Sequence, residues 1–330
     1  MVTFGVEPIA ESPEDTVRIA KLTEKYGYSH IWNPDSQLIW RELFSYMTLC
    51  ALNTTRLKIG TGVTNLKSRH PTVVASAIST VNEISGGRAV LGLGRGDSAL
   101  RLVSDEPMSV EEFMKNAKLV KSLMRGETSD YNGKPISITW NKGRVPLYVA
   151  AYGPKMLEFA GQVADGVILQ IGEPRVVAWA MNHIRKAAED FGRDPSELEI
   201  VDFIACYVSD DLVKARNMVR WYPATVSNHV FSLLKKYGLS DLPPELVLDL
   251  EALRGKYDYW EHDVVGAHHS DYVTDRLVDS FTIAGTPEQC ARKARELGEA
   301  GVTHICLYLP TGESEHVVRT FGEQVISTVR

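Results

Sequence analysis

Eight short apolar runs, each rich in β-branched residues, recur along the whole chain and are separated by segments of helical periodicity. The runs are Thr3–Val6, His30–Trp32, Leu57–Gly62, Ala89–Gly92, Pro146–Ala150, Gly166–Gln170, Leu198–Tyr207 and Thr303–Tyr308. Strands separated by helices pair in parallel through right-handed crossovers. Eight such units predict one domain over 1–330 folded as a closed (β/α)8 TIM barrel, although an open parallel sheet shows the same alternation.

Two segments interrupt the alternation of strands and helices. Residues 126–145 place Asn-Gly and Asn-Lys-Gly between short β-prone stretches, which predicts an inserted hairpin. Residues 209–280 are too long for one crossover helix, and they contain helical patterns, a Pro243-Pro244 break and a stretch rich in aromatic residues and His. In a barrel this insertion follows strand seven and lies at the C-terminal face, where active sites are assembled.

The composition excludes several functional classes. Lys and Arg number 36 against 42 Asp and Glu, a formal charge of −6 without a long basic block, so nucleic acid is not an expected partner. No apolar run approaches the roughly 20 residues that span a bilayer, and the N-terminal segment lacks a signal-peptide pattern. The cysteines are far apart and do not form a metal-binding motif. We therefore expect a cytoplasmic protein without a metal ion.

Several segments resemble the bacterial-luciferase-like superfamily in order and spacing. They are IGTGVTN, RHP, NEISGGRAVLGLGRGDS, PLYVAAYGPKMLEFAGQVADGVIL and the later Gly285–Ile305 stretch. The chain looks most similar to the branch that contains methylenetetrahydromethanopterin reductase, which uses coenzyme F420. The similarity covers nearly the whole chain outside 209–280. It implies a TIM barrel whose flavin or deazaflavin lies at the C-terminal ends of the strands.

The end of the third strand would contact the cofactor ring. The resemblance implies that Gly62, Val63, Thr64 and Asn65 lie against it, with a non-prolyl cis peptide at Gly62–Val63 pushing on its centre. Glycine here permits close approach of the backbone to a flat ring. An ordinary strand end with two turn glycines is the alternative.

A second segment would bind the cofactor phosphate. The resemblance implies a phosphate site at Tyr152, Gly153, Pro154 and Lys155. A Gly-Pro helix start leaves backbone N–H groups unpaired at the positive end of the helix dipole, which suits an anion. Lys155 would add a positive charge, whereas a plain strand-to-helix turn is the alternative.

Two carboxylates are candidate catalytic groups. In the related family the residue matching Asp97 lies near the reacting face of the ring, where it could move a proton if burial raises its pKa. Asp35 aligns with an Asp beside cofactor and substrate, although the branch usually follows it with His and Ser36 stands here. Each Asp could instead cap a helix. Arg95 and Gly96 are further candidate cofactor contacts, with a rim salt bridge as the alternative for Arg95.

Trp40, His262 and His268 are candidate substrate contacts. The two histidines lie in the aromatic stretch of the insertion, which suits a substrate lid, because His titrates near neutral pH. A solvated loop is the alternative. His70 is better explained as a capping or packing residue than as a catalytic one.

The motif order favours F420 over FMN as the cofactor. The expected function is therefore hydride transfer between the deazaflavin and a small organic substrate. An FMN-dependent monooxygenase that uses O2 is the alternative, since Arg95 occupies a place that is Arg in luciferase itself. A non-catalytic accessory subunit is a second alternative, which the intact strand-three glycines disfavour. The family usually forms dimers or tetramers, so the resemblance implies a homo-oligomer.

Overall fold

Eight parallel strands close into a barrel, which confirms the predicted fold class over an open sheet. The computed structural model describes residues 2–141, 143–237 and 242–329. Within these ranges the strands are β1 (Thr3–Pro8), β2 (His30–Asn33), β3 (Lys58–Thr61), β4 (Thr64–Asn65), β5 (Ala89–Gly94), β6 (Ser129–Tyr131), β7 (Lys134–Ile136), β8 (Leu147–Ala150), β9 (Gly166–Leu169), β10 (Glu199–Val208), β11 (Ile283–Gly285) and β12 (His304–Leu309). The barrel order is β1, β2, β3, β5, β8, β9, β10 and β12, and β12 closes on β1.

A helix follows every barrel strand, as the crossover rule requires. The helices are α1 (Pro13–Lys25), α2 (Leu43–Asn53), α3 (Pro71–Ser85), α4 (Ser98–Arg101), α5 (Val110–Met124), α6 (Pro154–Val163), α7 (Pro174–Asp190), α8 (Leu212–Val219), α9 (Tyr222–Tyr237), α10 (Pro244–Ala252), α11 (Asp275–Phe281), α12 (Pro287–Ala300), α13 (Ser314–Gln324) and α14 (Ile326–Val329). Among these described helices, none has both the length and the hydrophobicity needed to cross a bilayer.

Local capping fixes where several helices begin and end. Ser12 precedes α1, and its side chain accepts a hydrogen bond from the Asp15 amide at 3.0 Å, which confirms the capping pattern seen in the sequence. His70 precedes α3 and accepts from the Thr72 amide at 3.3 Å, so it is the capping residue that the sequence favoured. Gly86 ends α3 in the left-handed conformation that glycine adopts without a steric penalty (φ 68°).

Both predicted insertions are present. β6 and β7 form an antiparallel hairpin whose turn, Asn132-Gly133, has φ values of 55° and 80°, as a type I′ turn requires. The second insertion forms helices α8 to α11. The short β11 that follows it pairs with the end of β10, and the sequence did not predict this strand because three residues carry too little pattern.

Large aromatic side chains fill the inside of the barrel. Trp32 lies between Phe203 and Tyr148, with ring centroids 5.3 Å and 5.9 Å away. Glycines face these rings, and a Cβ added at Gly166 would lie 2.7 Å from the Tyr148 ring. The middle of the barrel is therefore a packed core. A ligand of any size must bind above it, at an end of the strands.

Candidate active site

A cavity of about 420 Å³ opens at the C-terminal ends of the barrel strands. Its size falls within the range of small-molecule sites in proteins. The predicted site residues that line it are Asp35, Trp40, Gly62, Val63, Thr64, Asn65, Arg95, Gly96, Asp97, Tyr152, Gly153 and His262. The fold thus brings together side chains that are more than 200 positions apart in the sequence.

The cavity floor is backbone rather than side chain. The peptide between Gly62 and Val63 is cis, as the resemblance implied. A Cβ at Gly94 would lie 2.8 Å from a Val63 methyl group, so glycine is needed for the two segments to approach. Thr61 ties the floor together, because its hydroxyl donates to the Gly92 carbonyl at 2.6 Å and accepts from the Gly92 amide at 2.8 Å. Gly62 and Gly94 therefore leave this part of the cavity free of their own side chains.

Glu7 lies directly beneath this floor and was missed at the level of sequence. Its side chain is 1 % exposed, and the Tyr308 phenol is its neighbouring hydrogen-bonding group. A Cβ at Gly62 would lie 2.5 Å from one of those oxygens. Burial, and then the charge of Asp263, raise the pKa of Glu7 well above its usual value, whereas the Tyr308 phenol acts in the opposite direction. Burial thus favours the protonated form of Glu7, which makes it a candidate proton donor.

One sequence signal could have identified Glu7. Glu7 is a charged residue near the C-terminal end of a buried barrel strand, a position where side chains of TIM barrels tend to be catalytic.

Asp263 is a second carboxyl group that the sequence analysis missed. It is 2 % exposed, has a φ of 60°, and lacks hydrogen-bond partners for both oxygens. Burial raises its pKa as well.

Asp35 lines the cavity as one half of an ion pair. The Thr64 hydroxyl donates to it at 2.6 Å, and the Arg69 guanidinium forms a salt bridge to the same oxygen. The Asp35 side chain is 2 % exposed. Glu42, not Asp35, caps helix α2, so the capping alternative is wrong for this residue. The geometry suits a carboxylate that holds Thr64 and the floor in place, and its predicted catalytic role stays a prediction.

Removing Arg69 should destabilise the protein strongly. We expect Arg69→Met to lower the free energy of unfolding by ~3–5 kcal/mol, because it leaves the Asp35 charge buried without its partner. Urea denaturation followed by circular dichroism measures this. Adding Asp35→Asn to the variant should recover much of the loss. Lys186→Met, which breaks the exposed pair with Asp190, is the matched control and should change little. An equal loss in both single variants would contradict the prediction.

Asp97 lies at the cavity wall and is held by neighbouring side chains. One oxygen accepts from Arg101 Nε at 2.9 Å and from the Tyr259 hydroxyl at 3.2 Å. Asp97 precedes α4, yet its side chain makes no capping hydrogen bond, so the capping alternative is not supported. A role for Asp97 in proton transfer stays a prediction.

Only part of the predicted phosphate site lines the cavity, and its role in phosphate binding stays a prediction. Gly153 precedes α6 and lines the cavity, and no side chain caps the first amides of that helix. Pro154 and Lys155 lie outside the cavity lining. The Lys155 side chain is 78 % exposed and extends towards Glu111, 4.0 Å away, because the first turn of α6 directs it outward.

Other residues supply polar groups near Gly153. Lys236 and Tyr237, at the end of α9, line the cavity, and the Tyr237 hydroxyl is 3.8 Å from where a Cβ on Gly153 would lie. The sequence did not reveal them, because they are more than 80 positions away from Gly153.

Arg95 also lines the cavity. Its Nε donates to the Met108 carbonyl at 2.6 Å, so the side chain is oriented by backbone rather than by a rim carboxylate.

The insertion supplies one wall of the cavity. Trp40 and His262 lie together, with ring centroids 5.3 Å apart, as expected for neighbouring substrate contacts. Tyr152 stacks on His229 at 4.1 Å, a contact that the sequence did not suggest. His268 is a correction, since its side chain is 89 % exposed, pairs with Glu261 and lies outside the cavity lining.

Comparison with known proteins identifies the family. The model for luciferase-like monooxygenases matches residues 2–304. The chain belongs to this family. A 5,10-methylenetetrahydromethanopterin reductase of Methanolobus tindarius is 32 % identical over 337 residues, which covers 98 % of this chain and 100 % of that protein.

More distant relatives agree with this placement. An F420-dependent glucose-6-phosphate dehydrogenase of Amycolatopsis mediterranei (strain U-32) is 24 % identical over 355 residues, which covers 100 % of this chain and 99 % of that protein. The structure of the coenzyme F420-dependent tetrahydromethanopterin reductase from Methanopyrus kandleri superimposes with a TM-score of 0.80 at 24 % identity, covering 100 % of this chain and 99 % of that chain. This superposition confirms the barrel fold.

Proposed function

We propose that this chain is an F420-dependent oxidoreductase that transfers a hydride between the deazaflavin and a small organic substrate. The observation that carries the proposal is the cavity at the C-terminal ends of the barrel strands, which Gly62, Val63 and Gly94 line on one side. Relatives whose names include F420 dependence align over almost the whole chain, and they favour F420 over FMN.

The residues around the cavity fit such a cofactor. Gly62 and Gly94 place no side chain on the cavity floor, which leaves room for a planar ring. At the other end, the uncapped amides of α6 beyond Gly153 and the ammonium group of Lys236 suit a phosphate. When bound, a deazaflavin supplies a carbon that donates or accepts a hydride.

The protein's own groups would then hold the ring and supply a proton. Thr64, fixed by Asp35, holds the floor under the ring. Glu7 lies beneath the floor, beside the Tyr308 phenol that lines the cavity, and burial favours its protonated form. A hydride transfer that reduces a substrate often needs a proton as well, and we propose Glu7 as its source.

Parallel titrations with F420 and FMN test the proposal. We expect F420 to bind and FMN to bind weakly, as followed by the fluorescence of each cofactor. Three compounds suggested by the names of relatives are then tested as substrates. Reduced F420 should be oxidised by methylenetetrahydromethanopterin or acetone, or oxidised F420 should be reduced by glucose 6-phosphate. Tight FMN binding with oxygen-dependent turnover would favour the monooxygenase instead. No binding of either cofactor would favour an accessory role.

Three further properties remain predictions. They are the identity of the substrate, assembly into a homodimer or homotetramer, and a cytoplasmic location. Mass photometry of the purified protein tests the assembly directly.

A further inference from the structure

Three polar residues meet at the N-terminal end of the barrel, opposite the cavity. His30, Glu199 and His304 are the first residues of β2, β10 and β12. One ligand atom from each lies within 4.8 Å of the other two. Both imidazoles are buried, and the Glu199 side chain is 22 % exposed. We call these three residues the basal cluster.

The tautomer of His30 leaves a lone pair without a partner. The Ser29 hydroxyl donates to the Phe4 carbonyl at 3.0 Å, so the same oxygen accepts from His30 Nδ1–H at 2.8 Å. Nε2 of this neutral ring is then unprotonated. It is buried and has no hydrogen-bond partner. A buried acceptor without a partner is costly, and it points to a ligand at this position.

His304 is held in the same way. The Thr3 hydroxyl donates to the Thr303 carbonyl at 3.3 Å and accepts from His304 Nδ1–H at 2.8 Å. Its Nε2 accepts a long hydrogen bond of 3.3 Å from the Trp32 indole N–H. Histidines that ligate metals typically donate their other ring N–H to an oxygen, which fixes the tautomer and the ring orientation. Both imidazoles of the basal cluster have this support.

The backbone leaves room for these rings. A Cβ at Gly5 would lie 2.7 Å from His304 Nε2, so glycine in β1 is what allows the imidazole to lie there. Glu199 provides the negative charge: one carboxylate oxygen is 3.9 Å from His304 Nδ1, and the other accepts a hydrogen bond from the Tyr148 hydroxyl. The Lys58 ammonium is 3.7 Å from it and half exposed, so it can move into solvent when another cation replaces it.

We propose that the basal cluster binds one divalent transition-metal ion, with Zn²⁺ as the ion that best suits it. Two imidazoles and one carboxylate are a common ligand set for Zn²⁺, and the fourth position would hold water. Binding replaces the long Trp32 hydrogen bond and ties the starts of three strands together. The ion would therefore stabilise the barrel at the end where no chemistry takes place. Ligands at positions 30, 199 and 304 show no local spacing motif, which explains why no metal site was expected from the sequence.

Metal titration of the full-length protein tests the proposal. The protein is dialysed against a chelator and titrated with Co²⁺, whose visible absorption reports tetrahedral nitrogen and oxygen ligands, and then with competing Zn²⁺. We expect one equivalent to bind and the thermal midpoint to rise. His30→Asn should abolish this site. Ser29→Ala, which removes only the support of the ring, should weaken binding by ~10–100-fold. Lys58→Met should strengthen binding, because it removes a competing cation.

His183→Asn is the matched control, since this histidine lies on α7 away from the basal cluster and should leave binding unchanged. Absence of the one-equivalent site in the unaltered protein would overturn the proposal. Binding that survives Ser29→Ala and Lys58→Met at unchanged affinity would overturn it also, even if His30→Asn failed to fold. Titration with F420 in the same samples is independent of this result, because the basal cluster is at the opposite end of the barrel.

Discussion

Glu7→Gln should leave cofactor binding intact and lower kcat by ~10²–10⁴-fold, the usual contribution of a general acid. The amide keeps the size of the carboxyl group but has no acidic proton to donate. The measurement is steady-state oxidation of reduced F420 with whichever of the tested substrates the unaltered enzyme uses. Cofactor fluorescence titration on the same samples shows that the binding site has survived.

The pH dependence gives a second test of the same role. Burial raises the pKa of Glu7, so the acid keeps its proton to a higher pH than an exposed Glu and loses it as the pH rises through that raised value. We therefore expect the kcat of the unaltered enzyme to fall at alkaline pH. This alkaline limb of the pH profile should be absent from Glu7→Gln. Glu14→Gln, on the exposed side of α1, is the control and should keep both the rate and the limb. A Glu7→Gln enzyme with unchanged kcat would show that the proton comes from elsewhere.

The fold could be predicted from the sequence because the patterns that specify its strands, helix caps and turns are local. Each barrel strand is a short buried run, and caps such as Ser12 and turns such as Asn132-Gly133 act over a few residues. These patterns survive in the folded chain because packing reinforces them. The three residues of β11 fell below the length at which such a pattern can be recognised.

The site was predicted less completely than the fold, because its residues are far apart in the sequence and come together only in the folded chain. The part of the cavity floor at Gly62–Val63 was predicted because one continuous motif of the sequence resembles the family. Glu7 and Asp263 are far apart in the sequence, and only the folded barrel buries both. Lys155 is the opposite case, and its role in phosphate binding stays a prediction. It is adjacent in sequence to the phosphate turn, but the direction of the first helical turn points its side chain into solvent.

Gly153→Asp should weaken F420 binding at least ~100-fold while the protein remains folded. The first amides of α6 have no side-chain cap, and an Asp at this position would bond to them itself. It would fill the anion site with its own carboxylate and repel the phosphate. Losing even one or two charge-assisted hydrogen bonds, each worth roughly 1.5–3 kcal/mol, accounts for an effect of this size.

Gly153→Asn separates charge from shape in this test. Asparagine is nearly isosteric with aspartate and caps helices equally well, so both variants should be as stable as the unaltered protein or more so. The two differ in one negative charge. We expect Asn to weaken F420 binding much less than Asp, and the gap between them to narrow at high salt, because salt screens the repulsion. Lys155→Ala should have a small effect, since its side chain lies outside the cavity. Equal affinities for Asp and Asn would place the phosphate away from α6, and Lys236→Ala would then show whether the end of α9 binds it instead.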